Sequence, residues 1–69
     1  MVPTEDTLTE QELTVMQLLA DGKRPKDIAI VLHVTENVVN IHLVRIREKL
    51  DSRTTYNALA TVIRQGLID

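Results

Sequence analysis

The clearest hydrophobic pattern in the chain runs through residues 35–50, TENVVNIHLVRIREKL. At 100° per residue, Val39, Leu43, Ile46 and Leu50 fall on one narrow stripe, spaced four, three and four apart. That is the stripe a small helical core needs. The opposite side carries Asn37, Asn40, Ile41, Val44, Arg45 and Glu48. A face selected only by water would be uniformly polar and charged. Two amides, an arginine and two aliphatic side chains together predict contact with something other than solvent.

Three further helices follow from periodicity and end signals. Thr9 and Glu12 have the spacing of a capping box, and Leu8 and Leu13 that of a hydrophobic staple. They open a helix over about residues 10–21, with Val15, Met16, Leu19 and Ala20 continuing the pattern. Gly22 suits the left-handed position just past its end. Pro25 suits the first position of a short second helix, 25–32, with Ile28, Ala29 and Leu32 facing inward. Thr35 caps the third helix, 36–50. Asp51, Ser52 and Arg53 form a loop, and Thr54 caps a fourth helix over about 55–65, closed by Gly66. On that helix Leu59, Val62 and Ile63 are expected to pack inward, with Leu67 and Ile68 closing the end. Tyr56, Ala60 and Thr61 lie off the stripe. They read either as ordinary surface or as a dimer face, because small residues let two helices approach closely. Residues 1–7 read as a polar tail, and 8–69 as one all-α domain, a four-helix bundle.

Composition narrows the chemistry. One tyrosine and no Phe or Trp leave the core to Leu, Ile, Val, Ala and Met. Without cysteine there is neither a disulfide nor a Cys-based zinc site, and two histidines alone argue against a metal or other cofactor. No apolar run approaches the roughly 20 residues of a membrane span. Ser52 is the only serine and has no evident base. A chain this small leaves little room for a substrate cavity or a small-molecule ligand, so an enzyme is not expected.

The net charge of −2 is unusual for a nucleic-acid binder, but its distribution is uneven. Residues 1–22 carry five acids and no base. Residues 23–49 carry six Lys or Arg against three acids, and 50–69 balance. The positive charge therefore gathers around the third helix. Two helices joined by a short turn, the second with an unusual outer face, form the pattern of a helix-turn-helix, although the common turn glycine is missing. A packed helix pair with no DNA role shows the same local pattern.

The order of several short motifs adds to this. Leu8-Thr9-x-x-Glu12, Leu18-Leu19-Ala20-x-Gly22, Lys26-Asp27-Ile28-Ala29, Thr35-Glu36-x-x-Val39-Asn40-Ile41-His42, Lys49-Leu50 and Gly66-Leu67-Ile68 follow one another at fixed intervals. Together they resemble the LuxR-type (GerE-like) helix-turn-helix domain of bacterial transcription regulators, and most closely its quorum-sensing subgroup. The sequence departs from that family's usual residues at Gln11, Arg24-Pro25, Val38, Asp51 and Thr54-Thr55. The family's arginine at position 55, which commonly pairs with the glutamate matching Glu12, has no counterpart there. Arg53 is the nearest substitute in sequence.

The resemblance implies sequence-specific binding to double-stranded DNA as a homodimer in the bacterial cytoplasm, at the nucleoid, with RNA polymerase as a candidate partner. Asn40, Ile41 and Val44 match the positions that reach base edges. An asparagine can bond adenine through two hydrogen bonds. Arg45 suits either guanine or phosphate. Lys26, Thr35, Asn37, Arg47 and Lys49 are phosphate candidates; Lys26 and Thr35 stand near helix N-termini, where backbone N–H groups favour anions. His42 reads as structural or close to phosphate, and His33 as solvent-facing. Two other functions fit the same helices: a protein-interaction module (an anti-activator or adaptor), and a sigma-factor-like promoter-recognition domain.

Overall fold

A computed structural model describes residues 8–68, so the expected polar tail at 1–7 lies outside the described residues. Four helices account for the described fold: α1 (Glu10–Ala20), α2 (Pro25–Leu32), α3 (Glu36–Leu50) and α4 (Thr55–Arg64). The all-α expectation holds, and the boundaries agree to one residue. Asp21 and Gln65 are the C-caps of α1 and α4 rather than their last residues.

The helix starts are set by short polar side chains. Thr9 Oγ1 accepts from the Glu12 N–H at 3.1 Å, and Glu12 Oε1 accepts from the Thr9 N–H at 2.8 Å, a complete capping box. Thr35 Oγ1 accepts from the Val38 N–H at 3.2 Å, and Thr54 Oγ1 from the Asn57 N–H at 3.0 Å. α2 has no such acceptor at Arg24. Instead Pro25 supplies a preset φ, and Asp27 Oδ2 accepts from the Arg24 N–H at 3.4 Å.

All four helices end in the same hydrogen-bond pattern, in which one N–H bonds to the carbonyl five residues before it and the preceding N–H to the carbonyl three before it. The pairs are Lys23 to Leu18 and Gly22 to Leu19, Val34 to Ala29 and His33 to Ile30, Ser52 to Arg47 and Asp51 to Glu48, and Leu67 to Val62 and Gly66 to Ile63. This pattern needs a residue with positive φ. Gly22 (φ 96) and Gly66 (φ 74) take it without a Cβ penalty, whereas His33 (φ 60) and Asp51 (φ 52) adopt it as non-glycines. The helix-turn-helix turn therefore forms without its usual glycine, at His33.

The core gathers Val15 and Met16 of α1, Ile28 and Ala29 of α2, Val39, Leu43 and Ile46 of α3, and Ala58 and Val62 of α4, with Leu8 and Ile68 at the ends. α3 packs against each of the other three helices, so the domain is assembled around it. The α2 and α3 axes differ by 109°, within the 90–120° of a helix-turn-helix. No single helix among the described residues is long and apolar enough to cross a membrane.

α4 departs from expectation. Ala58 is buried and Ile63 is 46% exposed, with Leu67 also exposed. The inward stripe is Ala58 and Val62, one turn apart, with Leu59 half-buried beside it. Ile63 lies five residues from Ala58, about 140° around the helix, and so faces away from this stripe. Ile30 and Val31 of α2 are likewise exposed.

Two kinds of cap substitution test the helix ends. Gly22→Ala should lower the unfolding free energy by about 1 kcal/mol from backbone strain alone, since a Cβ there meets nothing within 4 Å. Asp51→Gly should raise it by about 0.5–1 kcal/mol. Urea denaturation of the three proteins measures both changes.

Candidate functional site

The buried stripe of α3 fixes how the helix is rotated, and with it what faces outward. With Val39, Leu43 and Ile46 in the core, Asn37, Asn40, Ile41, Val44, Arg45 and Glu48 line one shallow depression of about 380 Å³ on the opposite side. Ile41 and Val44 are each 43% exposed, and the four polar residues are exposed around them. The structure thus brings together Asn37, Asn40, Ile41, Val44 and Arg45 as the sequence arranges them. Lys26 is exposed in the first turn of α2, and Thr35 is exposed at the start of α3. The Thr35 oxygen is engaged by the Val38 N–H, which leaves its hydroxyl proton able to donate outward. α1, with Glu10 and Glu12, packs on the buried side of α3 rather than beside its outer face.

Two of the expected phosphate ligands are committed within the fold. Lys49 Nζ donates to Glu12 Oε1 at 2.8 Å, and the pair is shielded from water, with the Glu12 side chain 4% exposed. Arg47 Nη1 donates to Thr55 Oγ1 at 2.9 Å, tying α3 to α4. Both side chains thus make hydrogen bonds to neighbouring helices of the bundle. Lys49 supplies the cation opposite Glu12 that the sequence suggested for Arg53, which is exposed. The two partners lie 37 residues apart, and no local spacing signals the pair.

Burial alone would raise the Glu12 carboxyl, but the hydrogen bond from Lys49, the Thr9 N–H and the Lys49 charge outweigh it and hold the group below its ordinary 4.5. A lowered carboxylate pKa contributes stability that is present above the unfolded value and lost as pH falls through the folded one. His42 is half-buried, and its Nδ1 is sealed without a hydrogen-bond partner among the described residues. His33 is exposed at the turn, as expected.

On α4, Tyr56 is 81% exposed and Ala60 is exposed beside it, while Thr61 is half-buried with its hydroxyl donating to the Asn57 carbonyl. The exposed apolar residues missed in the sequence are Ile63 and Leu67. Ile63 follows Tyr56 and Ala60 at intervals of four and three on α4, while Leu67 lies past the helix end, beyond Gly66. Among the described residues no group of three or more His, Asp or Glu comes together as a metal site.

Replacing Glu12 with Gln should cost about 1–3 kcal/mol at neutral pH, because Lys49 and the Thr9 N–H lose a charged acceptor. The difference between the native and variant proteins should shrink as pH falls below about 4.5. Denaturation midpoints measured from pH 7 to pH 3 follow this convergence.

Comparison with known proteins agrees with this geometry. Residues 6–60 match the family described as bacterial regulatory proteins, luxR family. The Escherichia coli protein named as an uncharacterized response regulatory protein, YgeK, is 34% identical over 64 residues, covering 93% of this chain and 44% of its own. The quorum sensing-dependent transcriptional regulator RpaR of Rhodopseudomonas palustris is 36% identical over 88% of this chain and 25% of its own length. The quorum-sensing regulator RhlR of Pseudomonas aeruginosa is 38% identical over the same shares. The chain thus spans a quarter to less than half of these relatives. With four helices in the expected order, a 109° turn between α2 and α3, and a match over most of its length, the chain belongs to the luxR family of bacterial regulatory proteins.

Proposed function

We propose that this domain binds a specific site on double-stranded DNA and places a bacterial transcription regulator at a promoter. α3 lies in the major groove and α2 crosses the backbone, as in other helix-turn-helix proteins. The observation that carries this reading is the outer face of α3. It sets amide, guanidinium and aliphatic groups side by side on a convex helix, opposite a sealed core. Asn40, Ile41, Val44 and Arg45 meet base edges. Lys26, Asn37 and the Thr35 hydroxyl meet phosphate, where the N-termini of α2 and α3 add their own N–H groups. Arg47 and Lys49 hold the helix in place instead.

The domain acts as a dimer joined through α4, in the bacterial cytoplasm at the nucleoid. Tyr56, Ala60 and Ile63 support this, because at helical spacing they leave exposed surface on one side of α4, with the exposed Leu67 just past its end. Two copies joined there would read two half-sites related by a two-fold axis. RNA polymerase is the partner expected for a regulator positioned at a promoter. The relatives' names divide between quorum-sensing and response-regulatory proteins, and the proposal commits to neither kind of signal.

Selection of bound sequences from a random DNA pool supplies the site. Affinity for it should then fall steeply with salt, as phosphate contacts release counterions. A salt-insensitive affinity would instead favour a protein-docking role for the same face. Asn40→Ala should cost about 1–3 kcal/mol on the selected site and much less on scrambled DNA. Ile63→Lys should weaken binding to a two-half-site duplex while leaving binding to a single half-site unchanged, as read by electrophoretic mobility.

A further inference from the structure

Asn37, Asn40 and Arg45 can each hydrogen-bond a base or a phosphate, and Glu48 can accept from a base amino group. Ile41 and Val44 cannot, yet they occupy the middle of the same depression, each 43% exposed. Aliphatic groups held there gain nothing from the polar base edges. The apolar feature that an A·T or G·C pair shows in the major groove is the C5 methyl of thymine. Residues three apart on a helix stand about 5–6 Å from one another at Cβ. Stacked bases are about 3.4 Å apart. The two side chains therefore reach methyl groups one or two base steps apart.

We propose that Ile41 and Val44 form a methyl-reading pair, so that the preferred half-site contains two thymines whose 5-methyl groups seat against them. The flanking amides and Arg45 supply hydrogen bonds to neighbouring bases. This inference rests on the DNA-binding reading above and specifies the bases that site selects. Exchange of thymine for uracil isolates the effect, because it deletes the methyl group and keeps every hydrogen-bonding group of the base.

The test uses a duplex recovered by selection from a random double-stranded pool, synthesised with thymine and then with uracil at one position at a time. Binding to the unmodified chain should weaken about fourfold at each of two positions, the worth of one buried methyl group. Ile41→Ala should abolish the thymine–uracil difference at one of them and Val44→Ala at the other, while Asn40→Ala leaves both differences intact. Equal binding of the thymine and uracil duplexes by the unmodified chain would overturn the proposal without any variant being needed. So would differences that persist in the Ile41→Ala/Val44→Ala double variant, since another group would then sense the methyls. Failure to bind any duplex would overturn the DNA-binding reading itself, and this inference with it.

Discussion

The rotational setting of α3 governs the rest of the molecule. A helix shows a different face for every 100° it turns, and nothing within α3 fixes that angle. The angle comes from Val39, Leu43 and Ile46 meeting residues of α1, α2 and α4 in one core. Once those three are buried, Asn40, Ile41, Val44 and Arg45 have no freedom but to face outward. Side chains of the core are close-packed and yield little. The outer face is therefore presented rigidly, which is what recognition at the scale of single base edges requires.

Polar contacts reinforce that setting unevenly along the helix. The C-terminal half of α3 is tied on two sides, by Lys49 to Glu12 of α1 and by Arg47 to Thr55 of α4. The N-terminal half is held by the Thr35 cap and by Val39 in the core. The polar ties from α3 to its neighbours thus gather toward one end of the helix. Two residues apart means about 200° of rotation, so Arg45 and Arg47, close together in sequence, face opposite sides of the same helix. Glu12 joins two tasks, since its Oε1 accepts both from the Thr9 N–H, closing the cap of α1, and from Lys49 Nζ, steadying α3.

Local order was largely legible in the sequence. The Thr9–Glu12 box, Pro25, Thr35, Thr54 and the glycines at 22 and 66 mark helix ends by chemistry that operates within four residues, and the boundaries follow. The outer face of α3 was legible for the same reason, since it is the complement of a periodic stripe. What escaped depends on contacts distant in sequence. The Lys49–Glu12 pair joins residues from different helices, so Lys49 reads as a free surface cation until the helices are packed. On α4 the apolar positions 58, 59, 60, 62, 63 cover too wide an arc to choose one side. In the packed bundle Ala58 and Val62 are the buried side and Ile63 is exposed. His33 and Asp51 were legible as turn residues, but not as left-handed ones.

Ala58 also has a bearing on geometry well outside the core. Its side chain is buried where α4 meets the bundle, and in the dimer proposed above the seat of α4 would become part of the separation between the two α3 helices. A bulkier group at this hidden position would splay the pair. Operator spacing would then be encoded in part by a residue that never meets a nucleotide.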